Sequence, residues 1–339
     1  MALRWRPIQS KDVLECAEII RAHPVIGPRY RSLIKDLGAA WLRLLGCQAM
    51  TTAVFERVEE RGSAILAVGV GVFVHDDFIR ELKKPPLFWV GPEVVKRVMR
   101  GDSPVLSDRE VRAANSGEGL NELVWEALSW AKFANLTELY HLMGRAYIEL
   151  LRGFRLKEMI TSQAESVERL QWAVDAGGLY WDPTHKRYTR SLLRTRHEFV
   201  KRPHVVGITR EMEFARPGSW IGSLFDYHPP CLSLSPGEQR LLLSALPGDR
   251  TDLELAQVLR VSLATVKKTW LSIYRRVADR KPEIVSVRAH LDAAGSERGK
   301  EKRRSLIAYL REHPEELRPV SQRILAQATA GKAHFSRAT

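Results

Sequence analysis

The chain has 339 residues, of which 45% are hydrophobic and 27% are charged, a balance typical of a globular protein long enough for two domains. Its net charge of +13 favours a polyanionic partner, with nucleic acid ahead of an anionic membrane surface. Three cysteines without paired spacing (Cys16, Cys47 and Cys231) argue against a disulfide framework or a zinc site. The longest apolar run, 64–74, is too short to cross a bilayer, and the N-terminus lacks a signal segment. We therefore expect a soluble, cytoplasmic protein without membrane contact.

The first half of the chain is predicted to alternate helices with a central strand. A short strand over 3–8 is followed by a helix that Asp12 caps, and a second amphipathic helix is predicted over 32–45. The β-branched run 64–74 predicts a buried central strand. The remaining predicted elements of this half are helices near 78–82 and over 94–99, 120–133 and 166–176, and a hairpin over 179–188.

This pattern predicts an α+β N-terminal domain over 1–214. A segment rich in proline and glycine, 215–232, is predicted to be a linker. An all-α domain is expected over 233–290, followed by a basic tail over 291–339 that is partly helical or disordered.

Three short helices are predicted in the all-α domain. Ser235 is an N-cap with Glu238 three residues later, which is capping-box spacing. A second helix begins at Asp252, and Ser262 caps a third helix that runs to about Val277. The apolar stripe of the third helix comprises Val266, Trp270, Ile273 and Val277.

The opposite face of this third helix is polar and cationic. A helix with one apolar stripe and one cationic face, held by a short helix before it, has the geometry required to enter the major groove of DNA. Lysine and arginine neutralise phosphates, and hydroxyls near the helix N-terminus can donate to phosphate oxygens. The predicted DNA-binding residues are Ser262, Thr265, Lys267, Lys268, Ser272, Arg275 and Arg276.

The stretch 234–280 resembles the LuxR/GerE-type helix-turn-helix domain. The matching residues are Leu234-Ser235, Glu238, Glu254-Leu255-Ala256, Leu259, Val261-Ser262, Thr265-Val266-Lys267 and Ile273-Tyr274-Arg275-Arg276-Val277. The sequence departs from the pattern at Arg260, Leu263 and Thr269. The resemblance implies a sequence-specific transcriptional regulator of bacterial type that binds double-stranded DNA as a homodimer, with RNA polymerase as a further candidate partner. Region four of a sigma factor and a structural nucleoid protein are the alternatives.

The first half resembles GNAT acetyltransferases in two segments. Arg4–Ile20 is similar to the first strand and helix of that fold, and Gly153-Phe154 after Ala146 is similar to a late segment of it. The segment Ala176–Gly178 is a rival position for this late element. The family's pyrophosphate motif, Arg/Gln-x-x-Gly-x-Gly/Ala, is approached at His141–Ala146, where histidine replaces the first residue. We expect a GNAT-like or other α+β sensory domain without catalysis, in which the cofactor is unknown and acetyl-CoA is a candidate.

The rival hypothesis from another functional class is an active GNAT-like N-acetyltransferase. Its basic C-terminal domain would then dock the enzyme to nucleic acid or to a protein partner. Two smaller motifs also have alternative interpretations: Asn115–Gly119 as an anion site or a turn, and His75–Asp77 as metal ligands or as a strand end with a helix cap. No catalytic or metal-binding residue is assigned from the sequence.

Overall fold

The computed structural model describes residues 2–59, 62–162, 167–190, 201–214, 220–246, 250–285 and 295–318. The chain divides into two compact units, 1–227 and 228–339, and this division lies within the predicted linker 215–232. Part of that linker (215–219) and most of the predicted tail, including 319–339, lie outside the described residues. Within the described segments, no helix combines the length and the apolar character needed to span a bilayer.

A mixed sheet forms the centre of the first unit. Among the described residues it has eight strands in the order β1-β2-β3-β4-β5-β8-β6-β7. The pair β4–β5 is parallel and the other neighbours are antiparallel. The strands are β1 (Ala2–Arg6), β2 (Met50–Glu59), β3 (Gly62–Val74), β4 (Leu120–Ser129), β5 (Leu156–Thr161), β6 (Leu179–Asp182), β7 (Arg187–Thr189) and β8 (Val206–Thr209).

Helices cover both faces of this sheet. They are α1 (Val13–Ala22), α2 (Ile34–Leu44), α3 (Asp76–Leu82), α4 (Val90–Arg100), α5 (Asp108–Ser116), α6 (Thr137–Leu151), α7 (Val167–Asp175) and α8 (Arg210–Phe214). The main core lies under α1, α2 and α4, where Trp41 and Trp125 pack edge to face. A smaller core on the other face joins α6 to β2 and β3 through Leu139, Phe55 and Ala67. The order of a strand followed by a helix, which was predicted for Arg4–Ile20, is confirmed by β1 and α1.

The prediction of a helix over 120–133 is wrong, because this segment forms the strand β4. Its apolar residues recur at helical spacing, and Glu122 and Glu126, four residues apart, have the spacing of a helix's polar face. In the structure nearly every side chain of β4 is buried, including both glutamates. A strand that is buried on both faces loses the alternation by which strands are identified.

The turn before β4 sets its position beside β5. The Asn115 side chain accepts a hydrogen bond from the Arg155 amide (2.7 Å), and the Leu120 amide donates to the Arg155 carbonyl (2.7 Å). Gly119 adopts φ +117°, and a Cβ atom there would lie 2.8 Å from the Arg155 carbonyl oxygen. These contacts support the turn interpretation of Asn115–Gly119.

The second unit is helical in its described residues. Its helices are α9 (Pro236–Ala245), α10 (Asp252–Leu259), α11 (Leu263–Arg280), α12 (Pro282–Val285) and α13 (Gly295–Glu312). The caps predicted in this unit are confirmed: Ser235 and Glu238 form a capping box, and Ser262 caps α11. The Asp12 side chain, which was predicted to cap the first helix, makes no capping hydrogen bond to α1. The apolar stripe of α11 is buried against α9, α10 and α13.

Candidate ligand-binding cleft

Strands β4 and β5 pair over a short distance and then separate. Their register begins at Leu120 and Leu156 and ends at Leu123 and Ile160. On its other edge β4 remains paired with β3 up to Ser129. Within the described residues, 124–129 therefore has no strand partner on the side of β5. Peptide groups along such an edge need hydrogen-bond partners, which water or a ligand can supply.

A cavity of about 320 Å³ opens where the two strands separate. Its floor is formed by β2 and β3 through Ala53, Phe55 and Gly69. Residues of α6 lie opposite, among them Met143 and Gly144. This volume is within the range of ligand pockets, and the lining is mainly apolar.

Glu122 of β4 lies directly behind the cavity wall. It is fully buried, and the Thr51 hydroxyl donates a long hydrogen bond of 3.4 Å to its Oε1. Its other oxygen, Oε2, has no hydrogen-bond partner in the described part of the chain. Burial raises the pKa of Glu122 well above its ordinary value, which favours the protonated form of the carboxyl group. Gly71 is required beside it, because a Cβ atom there would collide with Oε1.

Tyr147 of α6 places a second proton donor at the same cavity. The side chain lines the cavity, and its buried hydroxyl has no hydrogen-bond partner among the described residues. Burial raises the pKa of Tyr147 well above its ordinary value, and the nearby Glu122 adds to this rise. Both pKa shifts favour the protonated forms of the two groups.

A second carboxylate of β4 is held by a chain of hydrogen bonds. Glu126 lines the cavity and accepts a hydrogen bond of 2.5 Å from the Tyr30 hydroxyl. The Trp125 indole donates to the same Tyr30 oxygen over 3.2 Å. In the pairing of β3 with β4 the register shifts between Val70 and Gly71, so that Trp125 is an extra residue in β4. The two consecutive residues Trp125 and Glu126 therefore reach the same tyrosine.

The predicted pyrophosphate motif does not form a cradle. His141–Ala146 lies inside α6, where backbone amides are used by the helix. In the connection 130–136 that precedes α6 there is no glycine. The described residues before α6 therefore provide no glycine-rich loop that could hold a diphosphate. The rival position of the late element, Ala176–Gly178, follows α7 in the sequence and precedes β6.

The predicted metal or acid–base set His75–Asp77 is used for structure. His75 is the N-cap of α3, and Asp76 accepts a hydrogen bond of 2.6 Å from Asn121 and pairs with Lys157 at 3.1 Å. Burial alone would raise the pKa of Asp76, but these two donors hold it below its ordinary value. Residues 2–59, 62–162 and the later described segments contain no group of three side chains suited to a metal ion.

The predicted DNA-binding residues all lie on α11 or at its cap. Lys267, Lys268 and Arg275 are exposed. Ser262 accepts a hydrogen bond of 3.0 Å from the Thr265 amide, and the two hydroxyls are 2.8 Å apart. Both hydroxyls therefore take part in the helix cap.

The other two predicted residues of this face bind a carboxylate within the second unit. Ser272 donates to Glu238 of α9 over 2.8 Å, and the Arg276 guanidinium lies 3.2 Å from the same carboxylate. Burial would raise the pKa of Glu238, but hydrogen bonds from Ser235 and Ser272 and the charge of Arg276 hold it below its ordinary value. The sequence interpretation missed this contact because it joins two helices.

No known family model matches the chain, and no curated protein matches it. Among solved structures, the chain is similar to one from Corynebacterium glutamicum that is described as histone acetyltransferase HPA2 and related acetyltransferase. The identity is 10% and the TM-score is 0.34, and the match covers 61% of this chain and 96% of that one. It is also similar to the loading GNATL domain of CurA from Lyngbya majuscula, at 8% identity and a TM-score of 0.34, over 62% of this chain and 98% of that domain.

These comparisons correct the prediction of a LuxR-family, DNA-binding transcriptional regulator. The similar solved structures are GNAT-like proteins that correspond to the N-terminal part of the chain, and no comparison supports a LuxR-type protein. The individual contacts assigned to α11 and the predicted partners, namely double-stranded DNA, a second copy of the chain and RNA polymerase, are not tested by them.

Proposed function

We propose that the first unit is a GNAT-like acyltransferase that binds a pantetheine thioester in the cleft between β4 and β5. The observation that carries the proposal is the separation of this parallel pair after Leu123, with an apolar cavity at the opening. The resemblance of Arg4–Ile20 to the first strand and helix of GNAT proteins agrees with it.

The open edge of β4 is suited to an extended ligand that carries amide groups. Pantetheine has two amides, and the peptide groups of 124–129 can pair with them as a neighbouring strand would. Such pairing would align the ligand along β4. It would also direct the thioester end of the ligand towards the cavity under α6.

Acyl transfer to an amine requires two proton movements that the chain must provide. A pantetheine thioester supplies an activated carbonyl carbon and a sulfur leaving group. As the carbon–nitrogen bond forms and the carbon–sulfur bond breaks, the nitrogen loses a proton and the sulfur gains one. Tyr147 lines the cavity, and its raised pKa favours the protonated form that can donate to sulfur, whereas Glu126 lines the same cavity and can accept the proton from nitrogen.

The experiment measures thiol release from acetyl-CoA in the presence of a panel of primary amines. We expect turnover by the full chain and a loss of about 100-fold in Tyr147→Phe, because general acid catalysis contributes at that level. Acetyl-CoA binding by calorimetry should change less than twofold in this variant. Tyr309→Phe, a tyrosine of the second unit, is the matched control and should retain full activity.

Absence of both acetyl-CoA binding and turnover would contradict the proposal. Binding without turnover would instead indicate a domain that senses the thioester. Equal turnover in wild type and Tyr147→Phe would remove the tyrosine from the reaction but leave the cleft as the binding site.

A further inference from the structure

The cavity under α6 extends away from the opening between β4 and β5. Its lining includes Val124 of β4, Gly69 of β3 and Phe55 of β2. Neighbouring strands lie about 4.8 Å apart, so the floor continues for roughly 10 Å across the sheet. A pantetheine arm that follows β4 would leave this lateral part of the cavity empty.

The lateral part exists because small residues occur where two strands face α6. Gly69 and Ala53 leave space on the floor, and Gly144 leaves space on the helix above them. A Cβ atom at Gly144 would meet no heavy atom within 4 Å. Glycine inside a helix is less favourable than alanine, and here it keeps the cavity open.

The cavity is larger than an acetyl group requires, and its lining is more apolar. An apolar cavity of about 150 Å³ accommodates benzene, which has six heavy atoms. By this measure 320 Å³ holds roughly a dozen heavy atoms, whereas an acetyl group has three. Phe55, Met143 and Leu150 give the cavity an apolar lining that suits an aliphatic chain better than the amides of pantetheine.

We infer that the donor carries a medium-length aliphatic acyl chain, of about eight carbons, which lies across β3 and β2 beneath α6. This inference rests on the proposed function, because it assigns the acyl group of the same thioester. The thioester can be supplied as acyl-CoA or as acyl-phosphopantetheine on an acidic carrier protein. The net charge of +13 favours an acidic carrier protein, and the region before α6 has no cradle for the diphosphate of CoA. The test therefore includes both sources.

The test compares the binding of acetyl-pantetheine and octanoyl-pantetheine to the full chain by calorimetry. Each fully buried methylene favours binding by about fourfold, so we expect octanoyl-pantetheine to bind at least tenfold more tightly. Parallel titrations with octanoyl-CoA and an octanoyl carrier protein identify the source of the thioester. Free octanoic acid should bind at least tenfold more weakly than octanoyl-pantetheine.

Variants that fill the cavity test where the acyl chain lies. Gly144→Leu should reduce octanoyl-pantetheine binding at least tenfold and leave acetyl-pantetheine binding within twofold of wild type. Gly69→Ala should have a smaller effect in the same direction, because its Cβ atom would contact the Phe55 ring at an ordinary 3.7 Å. The matched control is Gly237→Leu in α9, where a Cβ atom also meets nothing within 4 Å.

Equal affinity for acetyl and octanoyl thioesters would overturn this inference and leave the proposed function in place. Octanoyl preference that persists in both Gly144→Leu and Gly69→Ala would also overturn it, provided that the variants retain wild-type thermal unfolding. Equal binding of free octanoic acid would indicate a fatty-acid site instead. Failure of every thioester to bind would contradict the proposed function as well.

Discussion

Helix α11 and strand β4 both carry polar side chains three or four residues apart, but their surroundings differ. On α11, Lys268 and Arg275 face solvent. On β4, Glu122 and Glu126 are buried, at 0% and 3% exposure. Burial costs a charged group free energy unless it is neutralised or hydrogen-bonded. The groups on β4 are therefore the ones whose chemistry the fold has altered.

The largest effect is expected at the core that supports the cleft. Trp125→Ala should lower the free energy of unfolding by about 3–5 kcal/mol, because it removes a fully buried indole that packs on Trp41 and donates to Tyr30. Urea denaturation followed by circular dichroism measures this loss. Leu253→Ala in the second unit is the control, and its exposed side chain predicts a change within about 0.5 kcal/mol. Similar losses in the two variants would contradict the assignment of Trp125 to the core.

A tyrosine of each unit can then be compared. Tyr30→Phe removes a donor to the buried Glu126 and should cost about 1–3 kcal/mol. Tyr309→Phe should cost less, because Tyr309 is half-buried whereas Tyr30 is fully buried, and Glu316 keeps hydrogen bonds from the Cys231 and Leu232 amides. Chemical denaturation of both variants provides the comparison. A larger loss for the second variant would mean that Glu126 depends little on Tyr30.

Glu122 and Glu238 should give the two units pH dependences of opposite sign. The pKa of Glu122 is raised in the folded state, so its contribution to stability is present at low pH and falls as pH rises above the unfolded value. The slope reaches about 1.4 kcal/mol per pH unit for one group. The pKa of Glu238 is lowered, so its contribution is present at neutral pH and is lost as pH falls.

The measurement is the free energy of unfolding of wild type and the two glutamine variants between pH 4 and pH 8. Glu122→Gln should gain stability relative to wild type as pH rises. Glu238→Gln should lose most at neutral pH and least at acid pH. Parallel curves for wild type and Glu122→Gln would show that the buried carboxyl is not held in its protonated form.

The smallest effect is expected at the cap of α11. Ser262→Ala removes the acceptor for the Thr265 amide and should cost about 1 kcal/mol. Thermal unfolding of the variant measures the loss, with Ser262→Thr as the variant that preserves the hydroxyl. A neutral effect in Ser262→Ala would indicate that the Thr265 hydroxyl or water replaces the cap.

Local signals in the sequence predicted the parts of the fold that depend on neighbouring residues. The caps at Ser235 and Ser262 and the buried strand over 64–74 are confirmed because each depends on a few adjacent side chains. The strand β4 was missed because burial on both faces removes the alternation by which strands are identified.

The cleft could not be predicted from local pattern. The Glu122 carboxyl group of β4 is brought to Thr51 of β2 and near Tyr147 of α6, which are distant from it or on another element in the sequence. Gly69 and Gly144 matter for the space that they leave, and no motif marks them. The GNAT resemblance of Arg4–Ile20 was the sequence signal that lay in the same unit as the cleft. The stronger resemblance, in the second unit, led to a prediction that the comparisons do not support.

Amide hydrogen exchange of the full chain with and without acetyl-pantetheine tests the central claim most directly. Our account predicts slower exchange in 124–129 when the ligand is present, since the open edge of β4 gains hydrogen-bond partners. Exchange in α11 should remain unchanged under the same conditions. Unaltered exchange along β4, or protection confined to the second unit, would contradict the proposed binding site.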